Sequence, residues 1–154
     1  MTIEVGQQAP DFTLRDQHGQ DVTLSSFRGA KTAVVMFYPF AFSNICTNEL
    51  GGVRDDLASF VNDSAQVLAV SCDPMYALRI FSEQEKLTYP LLSDFWPHGE
   101  VARAYGSFDD GPGCAIRATY VVDPEGVVGW KVENAVSQAR ELDELRRALS
   151  DLAG

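Results

Sequence analysis

A chain of 154 residues with 45% hydrophobic side chains can bury roughly 70% of its unfolded surface, so it needs neither disulfides nor a structural metal to fold. Twelve Lys and Arg stand against 22 Asp and Glu, and a net charge of −10 argues against nucleic acid as a partner. The longest apolar run, residues 33–42, is interrupted by Pro39 and falls short of the roughly 18 apolar residues a membrane span requires. In chain order, residues 12–14 and 22–24 flank a polar turn and predict a short N-terminal hairpin. Residues 32–38 are β-branched and apolar almost throughout, as a strand covered on both faces should be. Residues 44–61 predict a helix whose apolar face is Leu50, Val53, Leu57 and Phe60. A second buried strand follows at 67–71, then helices at 76–86 and 100–105. Residues 118–122 and 127–132 predict a hairpin around Asp123-Pro124-Glu125-Gly126. Leu142, Leu145, Leu149 and Leu152 stripe a final amphipathic helix.

This order predicts an α/β chain with a thioredoxin-like fold, a mixed central sheet flanked by helices, with residues 1–154 as one domain. Ligand sites in such sheets lie beyond the carboxyl ends of the parallel strands, which directs attention to the residues after Tyr38. There Ser43 is placed to cap a helix by accepting a hydrogen bond, and Cys46 falls in that helix's first turn. The positive end of a helix dipole favours thiolate over thiol. Lowering a thiol from about 8.5 to about 6 raises its thiolate fraction at neutral pH roughly thirtyfold, or about 2 kcal/mol. A fast nucleophile needs further donors for the transition state. Arg117, just before the strand at 118–122, is the candidate cation, and Arg54 is a weaker one. A buried structural thiol is the competing reading of Cys46. Gly51-Gly52 interrupts the helix, through close packing on a neighbour or as a weak point that lets its first turn open.

The segment with Pro39, Ser43 and Cys46 resembles the peroxiredoxin signature Pro-x-x-x-Thr/Ser-x-x-Cys, with its accompanying glutamate at Glu49. Ala9-Pro10-Asp11-Phe12 is similar to the family's opening motif, and Arg117-Ala118-Thr119-Tyr120-Val121-Val122-Asp123 to its later arginine-strand motif. Residues 91–99 look like the alkyl hydroperoxide reductase E (AhpE) branch, of the one-cysteine type. The resemblance implies a thiol peroxidase in antioxidant defence, reducing hydrogen peroxide and organic hydroperoxides through a sulfenic acid on Cys46. Ser43 and Arg117 would align the peroxide, Pro39 would shield the thiolate, and Glu49 would order the polar network. No metal or organic cofactor is implied. The implied partners are an external thiol reductant (a low-molecular-weight thiol, or a glutaredoxin-like or thioredoxin-like protein) and a second copy of the chain, in a homodimer or higher homo-oligomer.

Ser43 stands where threonine is commoner, keeping the hydroxyl and losing a methyl group. Cys72, at the end of a predicted strand, reads first as a buried structural thiol. Cys114, in the glycine-rich stretch before Arg117, reads as a loop thiol. Both are candidate resolving cysteines. His18 and His98 lack ligand-spaced partners, so no metal site is expected, and no phosphate-cradling glycine pattern is present. Phe95-Trp96-Pro97 reads as packing or interface. The N-terminus shows no basic segment followed by an apolar stretch, so no secretory signal is expected. With three scattered cysteines, this places the chain in the cytoplasm. A monothiol oxidoreductase and a redox sensor or holdase are the competing functions.

Overall fold

The computed structural model describes residues 2–153. Strands β1 (Thr13–Arg15) and β2 (Asp21–Thr23) form the expected hairpin, followed by one 3-10 turn at Leu24–Phe27. Then come β3 (Thr32–Phe37), α1 (Asn44–Asp55), α2 (Leu57–Phe60), β4 (Ala65–Ser71) and α3 (Met75–Glu85). They are followed by β5 (Leu91–Ser93), α4 (Glu100–Ala104), β6 (Phe108–Asp109) and β7 (Cys114–Ala115). The chain closes with β8 (Arg117–Val122), β9 (Val128–Asn134) and α5 (Leu142–Ala153).

Seven strands make one mixed sheet in the order β2-β1-β5-β4-β3-β8-β9. The three central strands β5, β4 and β3 run parallel, and their immediate neighbours β1 and β8 are antiparallel to them. Strand alternation explains the unbroken apolar run of β3. Val34 and Met36 point into a core shared with Leu50, Val53, Phe60, Leu78, Phe81, Leu145 and Leu149. Val35 and Phe37 point to the other face, against Phe12, Leu68, Val101, Tyr105 and Tyr120. Both faces are therefore covered, and the mixed sheet with flanking helices is the predicted thioredoxin-like architecture.

Three local readings change. The helix expected over 44–61 is two helices, because Asp56 leaves helical geometry (φ −131°, ψ 47°). Its carboxylate there accepts a hydrogen bond from Arg146 Nε at 2.7 Å. The apolar stripe still faces the core, so periodicity located the buried face and missed the break. Strand β5 is only three residues long, too short for a periodic signal. The stretch around Cys114 is not a loop: Cys114 and Ala115 pair with Asp109 and Phe108 in a two-stranded ribbon, and Cys114 is buried. Among the described residues, no helix is long and apolar enough to cross a membrane.

Candidate active site

Sheet topology brings the site together. β3 ends at Phe37, and the chain turns through Pro39–Ser43 into α1. β8 runs antiparallel to β3, with Met36 opposite Thr119, so its first residue, Arg117, lies beyond the end of β3. Residues 117, 119 and 121 share one face of β8, and Val121 packs in the same core as Cys46. Arg117 thus points at the start of α1. On α1, Cys46, Glu49, Leu50 and Val53 are buried at spacings of three and four, so Glu49 turns inward beside Cys46.

The Arg117 side chain is almost wholly buried and fixed at two places. Its Nε donates to the Val136 carbonyl at 2.7 Å, and its Nη1 donates to Glu49 Oε1 at 2.6 Å. The same Nη1 lies 3.1 Å from Cys46 Sγ. Cys46 has no exposed surface. A guanidinium held by a carboxylate and a carbonyl cannot swing away, so its donor stays aimed at the sulfur.

A second arginine completes the cluster, and sequence reasoning missed it. Arg140 lies in the irregular stretch between β9 and α5. Its backbone N–H and Nε both donate to Glu49 Oε2, at 2.7 and 3.0 Å. Its Nη1 donates to Thr119 Oγ1 at 2.8 Å, and its Nη2 donates to the Phe37 carbonyl. Burial lowers the proton affinity of Arg140 while Glu49 opposes that effect. Arginine starts high enough to remain a cation. The cluster therefore sets two buried guanidiniums against one fixed carboxylate. Glu49 thereby ties together the polar network that the resemblance implied it would order. A lone carboxylate beside the thiol would oppose its ionisation. Here the carboxylate is shared between two guanidiniums and serves to hold them. The only available signal for Arg140 was its being the one basic residue between Lys131 and Arg146 in an otherwise undistinguished stretch.

Pro39 is buried directly before the turn, and Ser43 lies at the N-cap position of α1. The Ser43 hydroxyl does not cap the helix, contrary to expectation. Its Oγ donates to the Phe40 carbonyl at 3.0 Å, while the Ser43 carbonyl accepts from Thr47 N–H at 2.8 Å. Spending its proton on Phe40 leaves the oxygen lone pairs free to accept. The turn is tied down by the Ala41 N–H, which donates to Asp73 Oδ2 at 2.8 Å. Phe42 adopts positive φ (73°), a costly conformation for an aromatic residue, and its ring packs on Phe81. Phe40 and Phe42 are both partly exposed on either side of this turn.

The structure leaves other candidates outside the cluster. Arg54 pairs with Asp55 and donates from Nη1 to the Glu85 carbonyl at 2.6 Å. Cys72, just after β4, is buried and its thiol is pushed up to about 12, first by burial and then by the Asp94 charge. Cys114 is pushed up to about 11 by burial, with Asp109, Cys46 and Asp73 adding to the shift and Arg117 opposing it. All three cysteines are free thiols. No group of three His, Cys, Asp or Glu side chains that could hold a metal occurs among the described residues.

Known proteins share this sequence and fold. Residues 5–131 match the model of the AhpC/TSA family. The chain is 50% identical over 139 residues to alkyl hydroperoxide reductase E of Mycobacterium tuberculosis, covering 90% of this chain and 91% of that protein. It is 32% identical to a putative peroxiredoxin of Synechocystis, covering 96% of this chain and 77% of that protein. Its fold superposes on the crystal structure of Enterococcus faecalis AhpC with a TM-score of 0.88 at 30% identity, covering 99% of this chain and 93% of that one. An arginine-faced cysteine at a helix start, on this fold and with these relatives, leads to one conclusion: the chain belongs to the AhpC/TSA family and is a peroxiredoxin, a thiol-dependent peroxidase.

Proposed function

We propose that the chain reduces hydrogen peroxide and organic hydroperoxides through a sulfenic acid on Cys46, as an antioxidant enzyme. The observation that carries this reading is the 3.1 Å approach of Arg117 Nη1 to Cys46 Sγ. The thiolate attacks the terminal oxygen of the hydroperoxide, the O–O bond breaks, and the departing alkoxide or hydroxide takes a proton. Cys46 is oxidised by two electrons to the sulfenic acid, and the peroxide is reduced to an alcohol or water. Arg117 offsets the negative charge that builds on the oxygens as the bond breaks. Ser43 Oγ, having donated its own proton to Phe40, accepts the peroxide O–H and orients it. Pro39 excludes water from the thiolate, and Glu49 and Arg140 keep Arg117 in place.

The partly exposed rings of Phe40 and Phe42 beside Ser43 support an organic hydroperoxide as a substrate. An external thiol, either of low molecular weight or on a glutaredoxin-like or thioredoxin-like protein, supplies the reducing equivalents that close the cycle. Three free thiols are compatible with a cytoplasmic location. Self-association is supported by three exposed aromatic side chains, Tyr76, Phe95 and Trp96, around one groove of about 580 Å³. Trp96 is 82% exposed, an unusual state for the largest side chain of a monomer. A homodimer through this face covers them.

Turnover of hydrogen peroxide and of an organic hydroperoxide with excess dithiothreitol tests the reading. Sustained consumption that disappears in Cys46→Ser is the expected result. Consumption at an unchanged rate in that variant contradicts it.

A further inference from the structure

Beyond the groups that touch the peroxide, we propose that Asp73 is a positioning residue for the peroxidase step. Its carboxylate holds the turn between β3 and α1 in the shape that presents Ser43 Oγ to the substrate. The proposal rests on the peroxidase reading and names a residue outside the cluster of Cys46, Glu49, Arg117 and Arg140.

The turn needs an outside tie. Ser43 and Cys46 are the N-cap and third residue of α1, so they fall on one face of its first turn. Just before them Phe42 stands at φ 73°, a backbone region that aromatic residues seldom occupy and that is held only where the surroundings enforce it. The Ser43 hydroxyl bonds to the Phe40 carbonyl, inside the same turn. That bond fixes the side chain to the turn and leaves the turn itself unanchored. Among the described residues, the 2.8 Å bond from Ala41 N–H to Asp73 Oδ2 is the one hydrogen bond joining residues 39–43 to a part of the chain outside the turn and α1. A carboxylate acceptor makes roughly twice as strong a bond as a neutral one.

Asp73 is itself firmly placed. β3 and β4 run parallel with Phe37 opposite Val70, so the residues that follow β4 lie beside those that follow β3. Asp73 is the second residue past β4, and its carbonyl accepts from Ser93 Oγ, at the end of β5, at 2.6 Å. Pro74 then caps α3, which supplies Phe81, the ring on which Phe42 packs with centroids 5.0 Å apart. The β4–α3 junction thus grips the turn twice, by the Ala41 backbone and by the Phe42 ring. Among the described residues Asp73 makes no hydrogen bond to Cys46, Ser43 or Arg117, so its effect passes through the turn. Without the carboxylate, Phe42 can return to negative φ, and Ser43 Oγ leaves its place beside the sulfur. Arg117 stays aimed at Cys46, because Val136 and Glu49 hold it. The defect expected on losing Asp73 is therefore selective: alignment of the peroxide suffers and the nucleophile does not.

The test compares two rates at Cys46 in the full chain. One is the second-order rate with hydrogen peroxide, followed by stopped flow. The other is alkylation by iodoacetamide, which carries no peroxide O–H for Ser43 to orient, followed by the mass of the Cys46 peptide. In Asp73→Ala the peroxide rate should fall by about tenfold to a hundredfold, with alkylation as fast as in the natural chain or faster. Asp73→Asn, which keeps an oxygen acceptor for Ala41, should recover most of the peroxide rate. Asp73→Leu, similar in shape to aspartate and without an acceptor, repeats the measurement if the alanine variant folds poorly. Peroxide and alkylation rates that fall together overturn the proposal, because the defect then lies in the sulfur or the fold. An unchanged peroxide rate without the carboxylate overturns it as well. So does an asparagine variant as slow as the alanine one, since charge rather than the hydrogen bond is then what matters. These three results leave the peroxidase reading standing, whereas a natural chain whose Cys46 does not react with peroxide refutes both.

Discussion

At the scale of single residues, the account turns on a donor that cannot move. Arg117 is fastened by Val136 and Glu49, so its contact with Cys46 costs no reorganisation when charge develops on the peroxide. Arg117→Met keeps the length and removes the donor, and it should slow peroxide reduction by about 10²–10³, roughly 2.7–4 kcal/mol. Stopped-flow measurement of the second-order rate checks this, and a change of only a few-fold counts against the assignment. Glu49 carries a different burden. Glu49→Gln leaves two buried guanidiniums without their shared counter-charge, and unfolding in urea should show a loss of about 3–5 kcal/mol. Adding Arg140→Met should recover part of that loss, because one unpaired charge is then removed. Pro39, Ser43, Cys46, Glu49 and Arg117 stood out in the sequence because they sit in short motifs at fixed spacing, and the fold brings Cys46, Glu49 and Arg117 into contact. Arg140 did not stand out. It is held by the end of β3 and by Glu49, and no local pattern records a contact across 91 positions.

At the scale of elements, α1 shows how periodicity and packing divide the information. The spacing of Leu50, Val53, Leu57 and Phe60 gave the buried face, while Asp56, where the helix breaks, is bonded to Arg146, 90 positions away. Gly52 separates the two explanations for the glycine pair. A Cβ there would lie 2.7 Å from Leu142 Cδ1, so α1 and α5 approach closely because this position has no side chain. Gly52→Ala gains about 1 kcal/mol of helix propensity and loses about 1–3 kcal/mol to overpacking. The net expectation is destabilisation, turning to stabilisation when Leu142→Ala opens the space. Thermal unfolding of the two single variants and the double variant checks the sign. Gly51 is different, since its nearest neighbour is the end of the Arg54 side chain. Close packing therefore accounts for Gly52 and not for Gly51.

At the scale of the whole molecule, the mixed sheet does the assembling. Parallel β3 delivers the cysteine helix, antiparallel β8 returns Arg117 to the same end, and the segment before α5 adds Arg140. The β-α-β order and the closing hairpin were readable from sequence, and with them the fold. β5, β6 and β7 were not, because strands of two or three residues carry little pattern of their own; the equally short β1 and β2 were read through the polar turn that joins them. The exposed aromatic face of Tyr76, Phe95 and Trp96 also belongs to this scale. Trp96→Asp should shift the chain from dimer to monomer in sedimentation velocity and leave its secondary structure unchanged. A natural chain that sediments as a monomer at every concentration contradicts the dimer.

The central claim, that the Cys46 sulfur is the nucleophile, is tested most directly by a single-turnover reaction. Fully reduced protein, mixed with less than one equivalent of hydrogen peroxide and no added thiol, should consume the oxidant rapidly and oxidise the Cys46 sulfur. Cys46→Ser should leave the peroxide untouched on that timescale. Equal consumption by both proteins would contradict the account.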